Sequence, residues 1–479
     1  MASAHIEPKD VQTYSTMFKN PEHLETQTCT ITSKKDESQP MRVVEFHGKM
    51  DMKVKIRPKP LITNPADVIL RVTTTAICGS DLHMYMGAMP GMKSGDIVGH
   101  EFMGVVEAVG PEVKDIKEGD RVVAAFDIAC GQCSACKLEN YSGCDSTNPS
   151  WEQDVMYKDR TCGMFGYSHL TGGWDGGQAE FVRVPFADRN CLKVPAELDD
   201  EHVILLSDIL PTAWHANELG RVGKGDNVAI WGCGPVGILA AQCAFQRGAS
   251  RVVIIDEQPF RLDFAKKKVP GLETINFKEK KTVEELRNLF SHGPDVAIEA
   301  VGVHYVSNPL HKLEVMIGLE TDSTEVINEC IYAVRKGGRI GVVGAYAGYA
   351  NHFNLGAFME KGLSMAGGQT PVQKYWPTLL PLVQSGELDP TTVITHILGL
   401  GEAPEAYKHF NAKDEGWIKV LMKPQSDTDV ITVEGPGLKE RARNLISGAV
   451  SGTIHTVQKV SETVSSATGV MSTDANKTA

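Results

Sequence analysis

Short runs of alternating apolar and polar residues begin at Met41. MRVVEFHG and DMKVKIRP read as two strands, and ADVILRVTTTAIC (66–78), IVGHEFMGVVEAVG (97–110), DRVVAAF (120–126) and QAEFVRVP (178–185) continue the pattern, separated by Gly, Pro and Lys turns. The pattern changes after Asp199. NVAIWG (227–232), RVVIID (251–256), DVAIEAVG (295–302), RIGVVGA (339–345) and LSMAGG (363–368) are short buried strands, and helical segments such as PVGILAAQCAFQRG (235–248) and FRLDFAKK (260–267) fall between them. Strand alternating with helix predicts a parallel sheet covered on both faces. A further helix, VQKYWPTLLPLVQSG, leads to short pieces ending at WIKVLMKP (417–424), which read as a return to the first, β-rich region. The expected division is an extension (1–40), a β-rich domain (41–205), an α/β domain (206–375), a return segment (376–424) and a tail (425–479). In the tail, Ile446, Val450, Ile454, Val457, Val460 and Val464 recur at helical spacing. Gly448, Gly452 and the β-branched residues weaken that helix, so a weak helix or disordered tail is expected rather than a docking helix.

Composition narrows the function classes. With 42% hydrophobic and 23% charged residues the chain is globular, and its length of 479 calls for two or three domains. No run of 18 apolar residues predicts a membrane span. A formal charge of −12 argues against a nucleic-acid partner. The start MASAHIEPKD has neither a basic nor an apolar signal region, and Glu7, Asp10, Glu22 and Glu25 precede the first arginine, Arg42, so a cytoplasmic protein is expected.

Three motifs carry chemistry. Gly232, Gly234 and Gly237 form GCGPVG between a strand and a helix, and the next strand ends at Asp256. This is the setting in which glycines let a backbone approach a pyrophosphate at a helix N-terminus, while the acid accepts from ribose hydroxyls and repels a 2′-phosphate, favouring NAD over NADP. Cys130, Cys133, Cys136 and Cys144 form C-x2-C-x2-C-x7-C, four thiolates able to close a structural zinc shell. Cys78 and His100 are two candidate ligands for a second metal; by themselves they would more often be core residues.

Together CGSDLH, GHEFMGVVEAVG, the four-cysteine loop, GGQAEFVRVP and GCGPVG resemble the zinc-dependent medium-chain alcohol dehydrogenases, and within them the glutathione-independent formaldehyde dehydrogenase branch, over roughly residues 41–424. The resemblance implies an α/β protein, with a GroES-like catalytic domain carrying two Zn²⁺ joined to a Rossmann doubly wound parallel-sheet domain that binds NAD. It implies a homodimer or homotetramer acting on a small alcohol or aldehyde. Cys78, His100 and Asp208 match the catalytic zinc ligands; Asp208, in LLSDILPTAWHA, stands where animal liver-type enzymes carry cysteine. Glu101 matches an acid beside the metal that can approach it during ligand exchange, and Ser80 and His83 a proton relay. Gly79, Ser80, His83 and Thr212 fall on the nicotinamide side, Gly232, Gly234, Val236 and Gly237 at the pyrophosphate, and Asp256 with Arg261 at the adenosine ribose. Val301, Val343, Ala345, Gly368 and Thr370 match the nicotinamide pocket. The implied reaction moves a hydride between an alcohol, or an aldehyde hydrate, and NAD.

Between Gly302 and the next helix stand about twenty residues, VHYVSNPLHKLEVMIGLETD, longer than an ordinary loop. They have the length of that branch's cofactor-covering insertion but lack its Gly/His-rich run, which weakens the expectation of formaldehyde and retained NAD. His304 and His311 within it are expected to be surface residues. Two other readings stay open: an NADPH-dependent quinone or enoyl reductase, whose relatives usually lack zinc ligands, and a non-catalytic dinucleotide-binding scaffold.

Overall fold

The computed structural model describes residues 30–302 and 322–425 and the backbone of the short strand Ile431–Thr432. Most of the extension, the insertion with His304 and His311, and the apolar stripe of the tail lie outside the described residues.

The first half is built from β1 (Lys34–Phe46), β2 (Met52–Leu61), β3 (Val68–Ile77), β4 (Asp96–Ile97), β5 (Phe102–Val109), β6 (Arg121–Ala124), β7 (Asp127–Ile128), β8 (Gly163–Met164), β9 (Phe181–Val184) and β10 (Cys191–Lys193). β2, β1 and β4 form one small antiparallel sheet. In a larger sheet the order begins β10-β6-β5-β3, with β9 also paired to β3. Alternate residues of β3 and β5, among them Val68, Leu70, Val72, Phe102 and Val106, pack into one core against Phe165 and Trp174.

The second half is a parallel sheet of β11 (Asn227–Trp231), β12 (Arg251–Asp256), β13 (Glu273–Asn276), β14 (Val296–Glu299), β15 (Arg339–Val342) and β16 (Ser364–Gly367). Its order, β13-β12-β11-β14-β15-β16, reverses direction between β11 and β14, where doubly wound sheets open a ligand crevice at the strand C-termini. β11 and β12 are buried on both faces, as their unbroken apolar runs require. Helix Pro235–Gln246 lies on one face through Ile238, Leu239, Ala241 and Ala244, whose small alanines allow a close approach to Ile230 and Ile254. The chain then returns: β17 (His396–Gly399) pairs with β18 (Val420–Lys423), and β18 pairs antiparallel with β3, Val420 opposite Ile77.

Two segments differ from the expectation. β1 starts at Lys34, not Met41, because its polar half pairs with the end of β2, Lys34 opposite Leu61; the sequence looks aperiodic there since those side chains face solvent. The run 97–110 is two strands rather than one. Gly99, at φ +97°, turns the chain between them, and a Cβ there would meet the Gln178 side chain at 2.3 Å. That turn takes His100 and Glu101 out of the sheet. Among the described residues no helix is long and apolar enough to cross a membrane.

Candidate active site

Cys78 follows β3 and caps the short helix Gly79–Tyr85, donating its backbone N–H to Asp81 Oδ2 at 2.8 Å. The other Asp81 oxygen lies 3.1 Å from His100 Nδ1, so one buried carboxylate ties the cysteine loop to the histidine loop. Gln178 braces the pair, donating to Ala76 O at 3.1 Å and Asp81 Oδ2 at 3.4 Å, while Tyr407 OH donates to Gln178 Oε1 at 3.0 Å. The Asp81 bond fixes the Nδ1–H tautomer and turns the Nε2 lone pair inward. His100 Nε2 is fully buried and makes no aligned hydrogen bond, although Asp208 Oδ2 lies 3.2 Å away.

Asp208 arrives from the other half of the molecule, immediately before helix Ile209–Leu219. Thr212, one turn on, donates its hydroxyl to Asp208 Oδ1 at 2.8 Å, and Thr370 donates to Thr212 at 3.0 Å. This leaves Oδ2 facing His100 and, at 3.8 Å, Cys78 Sγ. Cys78, His100, Glu101 and Asp208 thus offer ligand atoms within 4.8 Å of one another, all buried. Both Glu101 oxygens lie against Lys419 Nζ, at 2.7 and 2.6 Å.

The electrostatics call for a cation at this point. Burial pushes the Cys78 thiol up to about 11, with Glu101 and Asp208 adding to it. Burial disfavours the His100 imidazolium, yet Tyr167, Asp81 and Asp208 outweigh it and raise the group well above its ordinary value. Burial likewise opposes the Asp208 carboxylate, but His100 and Thr212 hold its pKa below the usual one. A thiolate, an imidazole nitrogen and carboxylate oxygens converging on one point, with an orphaned nitrogen among them, fit Zn²⁺.

The four-cysteine lobe is a second such cluster. Cys130, Cys133, Cys136 and Cys144 are buried with sulfurs within 4.8 Å. Cys130–Cys136 and Cys133–Cys144 Sγ separations of 3.9 Å are far too long for disulfides, and every cysteine among the described residues is free. Backbone N–H groups of Gln132 and Cys133 donate to Cys130 Sγ at 3.4 Å, and that of Cys130 to Cys144 Sγ at 3.3 Å, the pattern of thiolates held ready for a metal. Four sulfurs leave no open position, so this cluster suits a structural ion.

At the crevice, Gly232 takes φ +99° and Gly234 caps helix Pro235–Gln246, with Val236 in its first turn. The three glycines differ in cause. A Cβ on Gly237 would meet Gly232 O at 1.9 Å and one on Gly232 would meet Ala300 O at 2.8 Å, whereas one on Gly234 would meet no protein atom within 4 Å. Protein packing therefore does not require glycine at Gly234, nor at Gly79 and Gly368, which are equally open. Asp256 accepts from the backbone N–H groups of Cys233 (2.7 Å), Glu257 (2.8 Å) and Gln258 (2.9 Å). Arg261 Nε is buried with no hydrogen-bond partner, consistent with a donor kept for a ligand. Val301 and Gly302 donate to Glu299 Oε1 at 2.8 Å, and Val343 to Glu299 O at 3.0 Å, which sets Val301, Val343 and Ala345 side by side at the strand ends.

Ser80 lies 3.9 Å from Cys78 Sγ, and His83, three residues on, is buried on the same short helix. The reading of motifs gave no role to Asp81, Gln178, Tyr167, Glu299 or Lys419. Asp81 and Gln178 sit inside the quoted motifs CGSDLH and GGQAEFVRVP, which was the available signal. Tyr167 places its ring 4.7 Å from that of His100, with its hydroxyl near Ser80, and no local pattern marks it.

Comparison with known proteins agrees with this geometry. The alcohol dehydrogenase GroES-like domain family matches residues 64–196, and the zinc-binding dehydrogenase family residues 235–314. A zinc-type alcohol dehydrogenase-like protein of Schizosaccharomyces pombe is 43% identical over 382 residues, 79% of this chain and 90% of the relative. A glutathione-independent formaldehyde dehydrogenase of Pseudomonas aeruginosa is 33% identical over 393 residues, 78% of this chain and 95% of the relative. Among solved structures, an alcohol dehydrogenase from Thermus sp. ATN1 superposes with a TM-score of 0.68 at 36% identity, covering 80% of this chain and 99% of that one.

Proposed function

The chain belongs to the zinc-dependent alcohol dehydrogenase family, a GroES-like domain joined to a Rossmann domain, and on that premise we propose an NAD-dependent dehydrogenase with one catalytic and one structural zinc. The observation that carries the reading is the convergence of Cys78, His100 and Asp208 with His100 Nε2 left unbonded among them. These three residues would hold the catalytic ion, and Cys130, Cys133, Cys136 and Cys144 the structural one.

When bound, zinc supplies a Lewis acid that lowers the pKa of a substrate oxygen from ~15.7 toward ~7. The dinucleotide supplies the hydride acceptor. The protein's own part is placement and proton movement. Thr212 and Thr370 orient the Asp208 carboxylate, and Asp81 orients His100. Ser80 takes the alcohol proton and His83 passes it outward, their spacing of three residues setting both on one side of the helix. Gly79 and Gly368 leave room at the nicotinamide end, and Val301, Val343 and Ala345 wall the ring. Gly232, Gly234, Val236 and Gly237 receive the pyrophosphate at the helix N-terminus. Asp256, with Arg261, receives the adenosine ribose, and its negative charge favours NAD over NADP.

The substrate is an alcohol or the corresponding aldehyde, and the enzyme is an assembly of identical subunits. Support for assembly comes from β16, an edge strand exposed at all four residues with its outer backbone groups open.

An absorbance screen for NADH formation over short, long, branched and aromatic alcohols, and over formaldehyde with and without glutathione, tests the reading. It expects turnover with NAD that is lost when zinc is stripped and regained when zinc returns. Turnover only with NADPH and a quinone or enoyl substrate, indifferent to zinc, would replace it with the reductase.

A further inference from the structure

Two hydroxyls on and beside the four-cysteine lobe cross to the other half of the molecule. Ser142, buried between Cys136 and Cys144, donates its hydroxyl to Gln369 O at 2.8 Å, with Asn140 Oδ1 farther off at 3.5 Å. Gln369 lies just past the end of β16, between Gly368 and Thr370. Tyr157 OH donates to Ala347 O at 2.8 Å, in the segment that follows β15 and carries Val343 and Ala345. The two hydroxyls therefore reach the two strand ends assigned above to the nicotinamide ring.

Both donors stand on a braced frame. Helix Trp151–Tyr157, which ends in Tyr157, is capped by Ser150, whose hydroxyl accepts from the Gln153 N–H at 3.2 Å. The buried Gln153 side chain accepts from Asn148 at 2.9 Å and from the Thr161 N–H at 2.6 Å, and donates to Thr161 Oγ1 at 3.0 Å, which closes the segment on itself. The Cys162 N–H then donates to Ser142 O at 3.0 Å, so the segment returns to the lobe at the residue that makes the first crossing. On the far side, Ala347 is held twice: its N–H donates to Asp322 Oδ2 at 2.9 Å while its carbonyl takes the Tyr157 hydroxyl.

We propose that Ser142 and Tyr157 are positioning residues for the cofactor, fixing segments 368–370 and 345–349 to the four-cysteine lobe so that the nicotinamide pocket is formed before the ring arrives. The proposal rests on the dinucleotide reading of the crevice. A wall that must be ordered on binding lowers affinity by the fraction of time it is out of place. The adenosine side is fixed separately, with Asp256 bonded to Cys233, Glu257 and Gln258, so the effect is confined to ligands that carry the ring.

The test titrates Tyr157→Phe, Ser142→Ala and the double variant, each full length and zinc-replete, with NADH and with ADP-ribose, which has the adenosine and both phosphates but no nicotinamide. Unfolding midpoints accompany the titrations. Tyr157→Phe removes one oxygen from an exposed side chain and decides the outcome alone if Ser142→Ala does not fold. Each single variant is expected to bind NADH about two- to tenfold more weakly than wild type, the range of one lost hydrogen bond, and the double variant more weakly still, with ADP-ribose affinity unchanged. NADH affinity equal to wild type in all the variants overturns the proposal. So does an equal weakening of NADH and ADP-ribose, which is what a general loss of packing gives. If wild type itself binds neither NADH nor ADP-ribose, the dinucleotide reading fails, and the proposal with it.

Discussion

His100 Nε2 and Asp208 Oδ2 stand 3.2 Å apart at the junction of two separately built halves, the histidine on the turn after β4 and the aspartate ahead of the helix that leads into the parallel sheet. Asp208→Asn keeps the shape and removes the charge. Metal analysis is expected to show one ion fewer per chain for this variant and for Cys78→Ala, with the four-cysteine ion retained. Turnover should fall at least about 100-fold, since loss of an outer-shell partner alone costs ~10–100-fold. Full activity in either variant would place the catalytic site elsewhere.

Gly234 and Gly237 separate ligand contact from packing. Gly237→Ala forces a Cβ to 1.9 Å from Gly232 O and is expected to destabilise the fold by ~1–3 kcal/mol, read as a lower unfolding midpoint. Gly234→Ala meets no protein atom, so its stability should match wild type while its affinity for NADH, measured by fluorescence titration, falls. Equal NADH affinity in Gly234→Ala and wild type would remove the pyrophosphate from this turn.

Asp256 has two duties. It accepts three backbone N–H groups and so shapes the glycine turn, and it presents a negative charge at the end of β12. Asp256→Ala is expected to lower the NAD-to-NADP ratio of kcat/KM and to cost ~1–3 kcal/mol of stability from the donors left unpaired. A ratio unchanged from wild type would mean that another group discriminates.

His215 gives the fold an acid limit. Tyr375 OH lies 2.6 Å from its Nδ1, a bond that suits the neutral ring, and burial holds the imidazole down to about 4 from its ordinary 6.5. Between those values the unfolded chain binds a proton that the native one refuses, so stability falls as pH drops through that window. From pH ~7 to ~4.5 this amounts to about 2 kcal/mol. Denaturant unfolding at both pH values checks it: His215→Gln should show a shallower slope than wild type, and identical slopes would exclude His215 as the cause.

What the sequence made legible was contiguous chemistry. The four cysteines lie within fifteen residues, and the glycine turn sits between two recognisable elements, so spacing alone pointed to both. Strand 251–256 was expected within the bounds it has, because a fully apolar run needs burial on both faces. Pairings brought about by distant strands left no local trace. Lys419 meets Glu101 across 318 positions, and in WIKVLMKP it reads as an ordinary charged residue of an edge. Tyr167 follows the two-residue strand β8, too short for periodicity to register. The polar half of β1 was missed because its side chains are mostly exposed and carry no apolar alternation.

The pairing of β18 with β3 also governs when the site can come into being. Ile77 O and Lys419 are 342 positions apart, so on the ribosome the strand leading to Cys78 waits through nearly the whole of synthesis for its neighbour. Loop closure over such a span is slow, and a chain halted before residue 419 would carry both cysteine motifs and the glycine turn yet leave the C-terminal end of β3 with an open flank and Glu101 without its counterion. Completion of the centre is thereby tied to arrival of β18.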